Sequence, residues 1–539
     1  MSEELQEECG VVAIYHLPTS KPSPLCPTQG PTEVSRLIPR MLLDLQNRGQ
    51  LSCGITSYNQ NRSRILNTHK GSGTVPEVFH QNEPPKYAPL MDSLVGSAAI
   101  GHVRYAAIDE ADPSYAHPFE RRHIKKNKWF SFAFNGQIAN YSFLKDELLK
   151  KEENSCFARD TDAELLLHRL CAALKNSERD LLKVCQSLTQ GLDGAYTIVF
   201  LNALGEMFVA RDPRGIKPLC YAFDGSLFAC ASESVALFNL GFDAKDIKDV
   251  KPGEMISVTP KDGVKSYEFQ QSHRSAFCFF EWVYFANAAS VIDGTNVYLA
   301  RKRLGEELAR MEKENGLVTL DKDTIVVPVP DSSKAAADGM AYALGVPCLE
   351  GLMRNRYSGR TFIEGGETRQ RKAQTKYTPI PEVLAGKRVI LVDDSIVRST
   401  TMRILLQRIY NIGRAKEIHV RISCPPIMAP CFYGLDMSTY SELFATKFML
   451  RHYGFDAKCS DDLTTRWIMT PEIEEEMAKD IGCNSLRFLH ANAIAKAIGI
   501  PPFGLCRACF NHEYPTEWGC KLADEARERF IATLPQVKR

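Results

Sequence analysis

The sequence has no excess of charge of one sign and no long apolar run. Lys and Arg number 66 against 65 Asp and Glu, a net charge of +1, which gives no electrostatic reason to expect nucleic acid as a partner. The most apolar stretch, residues 277–292, is interrupted by Glu281 and Asn287 and is shorter than the ~20 residues of a membrane-spanning helix. We therefore expect neither a nucleic acid partner nor a membrane.

A secretory signal is also missing. The first residues, MSEELQEEC, are acidic and lack the basic and apolar regions of a signal peptide, so we expect a cytoplasmic protein. In a reducing compartment the 17 cysteines are not expected to form disulfides. Most free cysteines are small buried side chains, and a nucleophile or metal ligand among them must be found from its surroundings.

Two patterns meet near residue 271. Before it, short apolar segments punctuated by glycine predict an α+β fold with stacked sheets and helices outside them. After it, strands and helices alternate, which predicts an α/β fold with a parallel sheet and crossover helices. The chain beyond residue 441 is predicted to be mostly helical. Five prolines within residues 18–31 predict a surface loop.

The clearest local pattern is VILVDDSIVRSTT, residues 389–401. An apolar strand ends in Asp393 and Asp394, a polar turn follows, and a helix begins. Helix N-termini bind phosphate, and the carboxyl ends of parallel strands bind ligands. Adjacent carboxylates suit ribose hydroxyls or Mg²⁺. A plain strand–helix junction with an aspartate N-cap is the alternative, but the complete order of elements favours a phosphate site.

This pattern resembles the phosphoribosyl pyrophosphate (PRPP) signature of type I phosphoribosyltransferases. A second strand, residues 325–330, runs into a similar polar turn at 331–334 that could hold pyrophosphate or Mg²⁺. Residues 354–362 carry three arginines around a glycine, which fits a lid over a polyanion; a solvated basic loop is the alternative. The predicted ligands of PRPP are Asp393, Asp394, Ser395, Arg398, Ser399, Thr400, Thr401, Arg356, Arg360 and Lys334, and those of Mg²⁺ are Ser332, Asp393 and Asp394.

Cys9 stands between a short acidic segment and a predicted strand. Removal of residues 1–8 would place an α-amine on the same residue as the thiol. Such an amine has an ordinary pKa of about 8 and could act as the base for a cysteine nucleophile. A buried strand cysteine is the alternative.

Other segments of the first half carry groups that suit an amino acid amide. Arg104 follows a strand and could bind a carboxylate, and Asp162 at a helix start could bind an ammonium group. The Asn135 side-chain amide and the Gly136 N–H could form an oxyanion hole. Recognition of an amine, a carboxylate and an amide carbonyl together describes glutamine.

With these motifs in order, the chain resembles the glutamine PRPP amidotransferases, or amidophosphoribosyltransferases, which open purine synthesis. The shared motifs are EECGVVAI, NRGQ, GHVRY, NGQ, GAYTIVF, ARDPRGIKPL, ASES, VYFA, PDSS, NRYSGRTFI, VDDSIVRSTT and CFYG. The resemblance implies an αββα N-terminal-nucleophile glutaminase domain and a type I phosphoribosyltransferase domain. The implied division is a propeptide at 1–8, glutaminase at 9–270, phosphoribosyltransferase at 271–460 and a C-terminal helical segment at 461–539.

The resemblance implies a pentosyltransferase that converts PRPP, glutamine and water to 5-phosphoribosylamine, glutamate and pyrophosphate. It also implies purine nucleotides as inhibitors and a homo-oligomer, either a tetramer or a dimer. Glutamine–fructose-6-phosphate aminotransferase and asparagine synthetase share the glutaminase half, but they lack the VDDSIVRSTT pattern. A divergent paralogue with a regulatory or ligand-binding role, without full coupled activity, is the remaining alternative.

Cys506 and Cys509 form a Cys-x-x-Cys pair that could bind zinc, act in redox chemistry or do neither. Iron–sulfur clusters need four thiolates, often from distant segments. The resemblance to the family's metal-containing branch implies a structural [4Fe–4S] cluster held by Cys278, Cys431, Cys506 and Cys509. Four buried thiols without a cluster are the alternative.

Some positions depart from the family's usual pattern. Phe134 stands in place of His, Gln137 in place of Asn, and Ser399 in place of Gly, which restricts the backbone where phosphate must approach. The segment after Ile363 lacks the usual Pro and Gln. These departures concern lid kinetics and feedback regulation, and they leave every residue assigned to chemistry in place.

Overall fold

The computed structural model describes most of the chain, and none of the helices in that part combines the length and apolar character needed to cross a membrane. The described residues are 9–18, 21–105, 112–151, 157–176, 180–355, 376–435, 437, 439–453 and 469–534.

The strands of the first half form two antiparallel sheets. They are β1 (Gly10–His16), β2 (Ser52–Tyr58), β3 (Leu66–Ser72), β4 (Ala98–Arg104), β5 (Phe119–Arg121), β6 (Phe130–Ile138), β7 (Gly194–Asn202), β8 (Met207–Arg211), β9 (Cys220–Phe223), β10 (Leu227–Ala231), β11 (Lys248–Asp249), β12 (Glu254–Thr259) and β13 (Gly263–Glu268). One sheet has the order β11-β9-β10-β1-β4-β2-β3, and the other has the order β13-β12-β8-β7-β6-β5.

Helices cover the outer faces of these two sheets. They are Ile38–Asp44, Val75–Val78, Pro84–Ser93, Tyr141–Lys151, Asp162–Asn176, Leu181–Thr189 and Ser234–Leu240, with 3₁₀ turns at Pro31–Leu37, Pro113–Tyr115, Lys126–Lys128 and Ala244–Asp246. Val11, Ala133 and Val199 belong to the apolar layer between the sheets. The order helix, sheet, sheet, helix confirms the predicted αββα fold, because each sheet buries one face on the other sheet and one on helices.

Four strands of the second half form one sheet, and the other strands are only two or three residues long. In chain order, the strands of this half are β14 (Phe277–Cys278), β15 (Val291–Ile292), β16 (Thr295–Asn296), β17 (Thr324–Pro328), β18 (Leu352–Arg354), β19 (Tyr377–Pro379), β20 (Arg388–Asp393), β21 (Glu417–Ile422), β22 (Ser485–Phe488) and β23 (Leu505–Cys506). The sheet β17-β20-β21-β22 is parallel throughout, which confirms the predicted α/β architecture.

The helices of the second half pack on this sheet or follow it. They are Val297–Asn315, Lys334–Leu344, Pro381–Leu384, Thr400–Asn411, Phe444–Tyr453, Pro471–Ile481, Ala491–Ile498, Ala508–Asn511 and Glu517–Ala532, with a π turn at Glu281–Phe285 and 3₁₀ turns at Tyr440–Glu442 and Pro502–Gly504. Residues 485–488 differ from the prediction of a mostly helical C-terminal region, because they form the fourth strand, β22. Four buried residues between two helices are too few to reveal a strand by periodicity.

The register of the parallel sheet brings two polar turns together. Pro328 at the end of β17 is opposite Val392 in β20, so the turns that follow both strands lie at the same edge of the sheet. This edge is where open α/β sheets bind ligands.

Candidate active site

Cys9 lies directly before β1 and is fully buried. Its backbone N–H donates to Asn135 Oδ1 over 3.3 Å, and its thiol lies 3.9 Å from the Tyr105 carbonyl oxygen. Pairing of Gly10 with Val103 runs β1 alongside β4, which ends at Arg104. The structure therefore brings the predicted nucleophile to two segments that are distant in sequence.

Asn135 and Gly136 lie within β6, where both predicted oxyanion donors are buried. The Nδ2 of Asn135 has no hydrogen-bond partner among the described residues, which leaves a buried donor for a substrate oxygen. Gly136 has a φ of 145°, and a Cβ there would lie 1.9 Å from the Ala195 carbonyl oxygen. Only glycine fits this position without displacing the neighbouring strand.

The two residues predicted to hold the ends of glutamine also lie near β6. Arg104 is 1% exposed, and its guanidinium carbon is 5.4 Å from the centre of the Tyr115 ring. Asp162 begins the helix Asp162–Asn176, and its Oδ2 accepts the Ile138 N–H over 2.7 Å. Gly49 of the NRGQ motif allows close packing here, since a Cβ would lie 2.5 Å from the Arg104 backbone.

At the edge of the parallel sheet, hydroxyl groups from both polar turns hold the aspartate pair. Ser332 donates its hydroxyl to Asp394, and Ser333 donates to Asp393 Oδ1 over 3.1 Å. Ser395 donates to Asp394 Oδ1 over 2.7 Å. The structure thus joins the two segments that sequence alone predicted to act together.

Burial raises the pKa of both the Asp393 and Asp394 carboxyls, and the charge of Asp394 raises that of Asp393 further. Two buried carboxylates side by side are electrostatically unfavourable unless a cation joins them. Carboxylate and hydroxyl oxygens are the ligands that Mg²⁺ prefers. The donor set of Asp393, Asp394 and Ser332 therefore fits this ion.

A cavity of about 510 Å³ begins at the aspartate pair and extends to the first half of the chain. From the second half it is lined by Ser332, Asp393, Asp394, Ser395, Arg398, Thr400 and Thr401, and from the first half by Asn47 and Tyr105. Phe280, Tyr284 and Phe285 form an aromatic part of its wall. The cavity thus connects the edge of the parallel sheet that carries Asp393 and Asp394 with Tyr105, whose carbonyl contacts the Cys9 thiol.

Some predicted ligands do not line the cavity in the described part of the chain. Lys334 is exposed and pairs with Glu350 over 2.9 Å, and Ser399 accepts a hydrogen bond from Arg403 over 3.3 Å; neither is among the described residues that line the cavity. Lys334 starts its helix with its long side chain toward solvent, where an acidic partner is available. The propeptide at 1–8, Arg356 and Arg360 lie outside the described residues.

The cavity also contains groups that the sequence patterns did not single out. Arg301 is 5% exposed, donates to the Trp282 and Ala286 carbonyl oxygens and lines the cavity. Its segment, RKRLGEELAR, reads as a charged helix face, which normally indicates solvent exposure. Arg354, by contrast, is the first arginine of the predicted lid segment 354–362, and it pairs with Asp331 over 2.8 Å at the same cavity wall.

The four cysteines predicted as cluster ligands are all buried and come from three segments that meet at one place. β14 and β23 pair in parallel, with Cys278 opposite Cys506. The Met428 and Ala429 N–H groups donate to the Cys509 carbonyl over 2.8 and 3.0 Å, which holds the segment leading to Cys431 against the Cys-x-x-Cys turn. The four-cysteine site is defined here as Cys278, Cys431, Cys506 and Cys509.

The thiols of the four-cysteine site affect one another. Burial raises the pKa of the Cys506 thiol to about 12, and Cys431 adds to the rise. Burial and Cys506 raise the pKa of Cys278, whereas Lys217 opposes that rise. Such thiols become thiolates only when a cationic centre binds them.

No group of three or more His, Cys, Asp or Glu side chains within the described ranges is arranged to hold a single metal ion. A cluster is larger than one ion, so its thiolates lie further apart than the ligands of a mononuclear site. Four buried, mutually interacting thiols with Lys217 beside them have the chemistry of an iron–sulfur donor set. The residues present therefore fit a [4Fe–4S] cluster.

Comparison with known proteins gives consistent matches over nearly the whole chain. The family model described as "Glutamine amidotransferase domain" matches residues 90–258. The amidophosphoribosyltransferase of Methanothermobacter thermautotrophicus is 38% identical over 95% of each chain, and that of Bacillus subtilis is 35% identical over 95% of each chain.

A solved structure agrees with these sequence matches. Glutamine PRPP amidotransferase from B. subtilis, complexed with ADP and GMP, superposes with a TM-score of 0.75 at 34% identity, covering 95% of this chain and 98% of that one. Sequence identity and fold thus agree across both halves. The chain belongs to the amidophosphoribosyltransferase family.

Proposed function

We propose that the protein converts PRPP, glutamine and water to 5-phosphoribosylamine, glutamate and pyrophosphate, the first committed step of purine nucleotide synthesis. The observation that carries this proposal is the single cavity that runs from Asp393 and Asp394 to Tyr105, beside Cys9. Family membership over 95% of the chain supports the same reaction.

In the glutaminase half, the Cys9 thiolate attacks the amide carbon of glutamine. Removal of residues 1–8 frees the α-amine of Cys9, which takes the thiol proton and passes it to the leaving nitrogen. The C–N bond breaks, ammonia leaves, and water then hydrolyses the thioester to glutamate. Arg104 holds the substrate carboxylate, and Asp162 holds its ammonium group.

Asn135 and Gly136 stabilise the oxyanion that forms in both steps. The Asn135 Nδ2 is a buried donor with no described partner, and its Oδ1 is held by the Cys9 backbone. A preorganised donor of this kind contributes most when water is excluded. The hydrogen bond to Cys9 therefore fixes nucleophile and oxyanion donor relative to each other.

In the phosphoribosyltransferase half, ammonia attacks C1 of the ribose, and the C1–O bond to pyrophosphate breaks. Asp393 and Asp394 hold the ribose hydroxyls and, with Ser332, Mg²⁺, which would supply positive charge for the leaving group. Backbone N–H groups and the hydroxyls of Ser395, Thr400 and Thr401 bind the 5-phosphate at the helix start.

Ammonia must reach this site without meeting bulk water, because protonation would remove its nucleophilic electron pair. The aromatic wall of Phe280, Tyr284 and Phe285 supports a sheltered route from Tyr105 to the aspartate pair. We further propose that Arg356 and Arg360 close over PRPP as a lid during turnover.

We also propose that the protein belongs to the iron–sulfur branch of the family. Cys278, Cys431, Cys506 and Cys509 would hold the [4Fe–4S] cluster, which supplies cross-links between the two halves and the C-terminal segment. The domain limits of 9–270, 271–460 and 461–539 remain a proposal, with the last segment contributing β22 to the phosphoribosyltransferase sheet.

Regulation and assembly follow from the family. The B. subtilis relative was solved with ADP and GMP, and we propose that purine nucleotides inhibit this protein too. We propose a homo-oligomer, either tetramer or dimer, in the cytoplasm.

The test is an anaerobic purification followed by a coupled assay. Glutamate and pyrophosphate should appear in equal amounts when glutamine, PRPP and Mg²⁺ are present together. Ammonium salts at alkaline pH should replace glutamine for pyrophosphate release. A preparation that releases neither glutamate nor pyrophosphate would contradict the proposed function.

A further inference from the structure

The residue after the oxyanion glycine makes a contact across the two halves. Gln137 follows Gly136 in β6, and its side chain lies on the same face of the strand as that of Asn135, because strand side chains alternate. The Oε1 of Gln137 accepts the Gly434 N–H over 3.0 Å, although the residues are 297 positions apart. Gln137 is only 5% exposed.

The other end of this contact belongs to the four-cysteine site. Gly434 has a φ of 97°, a conformation that favours glycine. The preceding residue, Tyr433, donates its N–H to the Cys431 sulfur over 3.4 Å. Two successive backbone N–H groups therefore donate to the two sites: that of Tyr433 to the predicted cluster ligand Cys431, and that of Gly434 to the Gln137 side chain.

A second residue of the first half completes the attachment. The Nζ of Lys217 donates to the Gly434 carbonyl oxygen over 3.4 Å, and Lys217 is 2% exposed. Its charge also acts on the Cys278 thiol. Both the N–H and the C=O of Gly434 are thus bonded to side chains of the glutaminase half.

These contacts lead from the nucleophile to the four-cysteine site through hydrogen bonds at either end and through strand β6 between them. Cys9 bonds to Asn135, Asn135 and Gln137 share a face of β6, and Gln137 bonds to Gly434 beside Cys431. A displacement of the Cys431 turn moves the Gly434 N–H that donates to Gln137, and with it the strand that carries the oxyanion donors. Donor placement within a fraction of an ångström affects rate strongly.

We propose that Gln137 is a positioning residue that makes the rate of glutamine hydrolysis depend on the state of the four-cysteine site. This inference rests on the proposed cluster and on the proposed glutaminase role of Cys9. An intact cluster holds the Cys431 turn, the turn holds Gln137, and Gln137 keeps Asn135 and Gly136 in place. Loss of the cluster lowers glutaminase turnover through this path.

The main test variant is Gln137→Met, which keeps the side-chain length but has no amide acceptor. Glutaminase kcat should fall by about tenfold, because the oxyanion donors lose their support. The KM for glutamine should change little, since Arg104 and Asp162 still hold the substrate. Ammonia-dependent pyrophosphate release should stay at the wild-type rate. Gln186→Met is the matched control, because Gln186 is exposed on a helix of the same half.

The decisive measurement combines this variant with cluster removal. Iron is removed by a chelator and quantified, and the rate at which a diazoketone analogue of glutamine alkylates Cys9 is followed by intact mass, alongside kcat. In the wild type both rates should fall on iron removal. In Gln137→Met both should already be low and should fall no further, because the path is already broken.

If kcat and the alkylation rate fall by the same fraction in wild type and in Gln137→Met when iron is removed, the role of Gln137 is overturned. The assignment of the cluster is not affected by that result. Wild-type protein that still hydrolyses glutamine at the full rate after its iron has been removed would overturn this inference, whereas anaerobically purified wild type without any iron would overturn the proposed cluster. If Gln137→Met does not fold, Gln137→Asn serves in its place, since it keeps the amide but is one methylene too short to reach Gly434. The same two outcomes then apply to it.

Discussion

Arg48 and Glu281 form a buried bidentate ion pair that links the two halves of the protein. Nη2 of Arg48 lies 2.7 Å from Oε1 of Glu281, and Nη1 lies 3.0 Å from Oε2. The Nε of the same guanidinium donates to the Cys9 carbonyl over 3.0 Å. Glu281 begins the turn Glu281–Phe285, which contributes to the cavity wall. One side chain therefore connects the nucleophile's peptide to the phosphoribosyl cavity.

The substitution Glu281→Gln should destabilise the protein. It leaves the Arg48 charge buried with Glu233 as its remaining acidic partner, and breaking a buried pair from one side costs about 3 kcal/mol of unfolding free energy. Urea unfolding of the purified variant measures the loss. Glutaminase activity should fall more than ammonia-dependent activity, because Arg48 holds the Cys9 carbonyl.

Glu314→Gln is the control for this prediction. Its pair with Arg310 is largely exposed, so its removal should cost less than about 1 kcal/mol. Equal costs at positions 281 and 314 would contradict a special role of the buried pair.

Active protein should begin at Cys9. Intact-mass analysis should show residues 1–8 removed, because a peptide bond at the Cys9 nitrogen cannot act as a base. Cys9→Ser should lower glutamine-dependent activity by about a thousandfold or more and keep ammonia-dependent activity. Full glutamine-dependent activity in a chain that still carries Met1 would show that Cys9 is not the nucleophile.

The aspartate pair should make stability depend on pH and on Mg²⁺. The raised pKa values mean that the folded protein holds more protons than the unfolded chain above about pH 4, the ordinary pKa of aspartate. The free energy of unfolding therefore falls as pH rises toward the raised values. Mg²⁺, which needs both carboxylates ionised, should raise the thermal midpoint more at pH 8 than at pH 6.

Asp393→Asn tests this assignment. The variant should lose PRPP-dependent activity, show no stabilisation by Mg²⁺ and unfold at a higher temperature than the wild type without Mg²⁺, because one buried charge is gone. Asp262→Asn, at an exposed turn, should retain the wild-type response to Mg²⁺. A Mg²⁺ effect that survives in Asp393→Asn would place the ion elsewhere.

Cys431→Ser should remove the proposed cluster. We expect iron and sulfide contents to drop, the visible absorption of the cluster to disappear and the thermal midpoint to fall, because three segments lose their cross-link. Cys520→Ser changes an exposed thiol and should keep both iron and colour. Iron retained at the wild-type level in Cys431→Ser would contradict the assignment of this ligand.

The sequence predicted those features whose determinants are local. The strand and turn at 389–401 could be predicted because the apolar residues, the two aspartates and the hydroxyl-bearing turn follow one another directly in the sequence. Cys9 and Asn135 were each selected from their own neighbours, although their contact depends on the pairing of distant strands. Strands β17 and β20 agree with the predicted strands at 325–330 and before Asp393 for the same reason.

What the sequence did not reveal depends on long-range packing. Arg301 belongs to a charged segment that reads as solvated, and Glu281 reads only as an interruption of an apolar stretch. The tertiary structure buries both side chains and pairs Glu281 with Arg48. Lys334 was predicted to bind PRPP from its place in a turn, whereas its pair with Glu350 depends on a segment that is distant from that turn in the sequence. β22 was not predicted because its four residues form a strand only through their pairing with β21, which is distant in the sequence.

The parallel pairing of β14 with β23 has a consequence for biosynthesis. Cys278 emerges from the ribosome long before Cys506 and Cys509, yet all three must meet at one place. The glutaminase sheets can form as soon as their own strands are made, since domains generally fold as units during synthesis. Assembly of the proposed cluster, by contrast, would have to wait until residues 506–509 have been made, so this joint between the halves would mature after the glutaminase sheets.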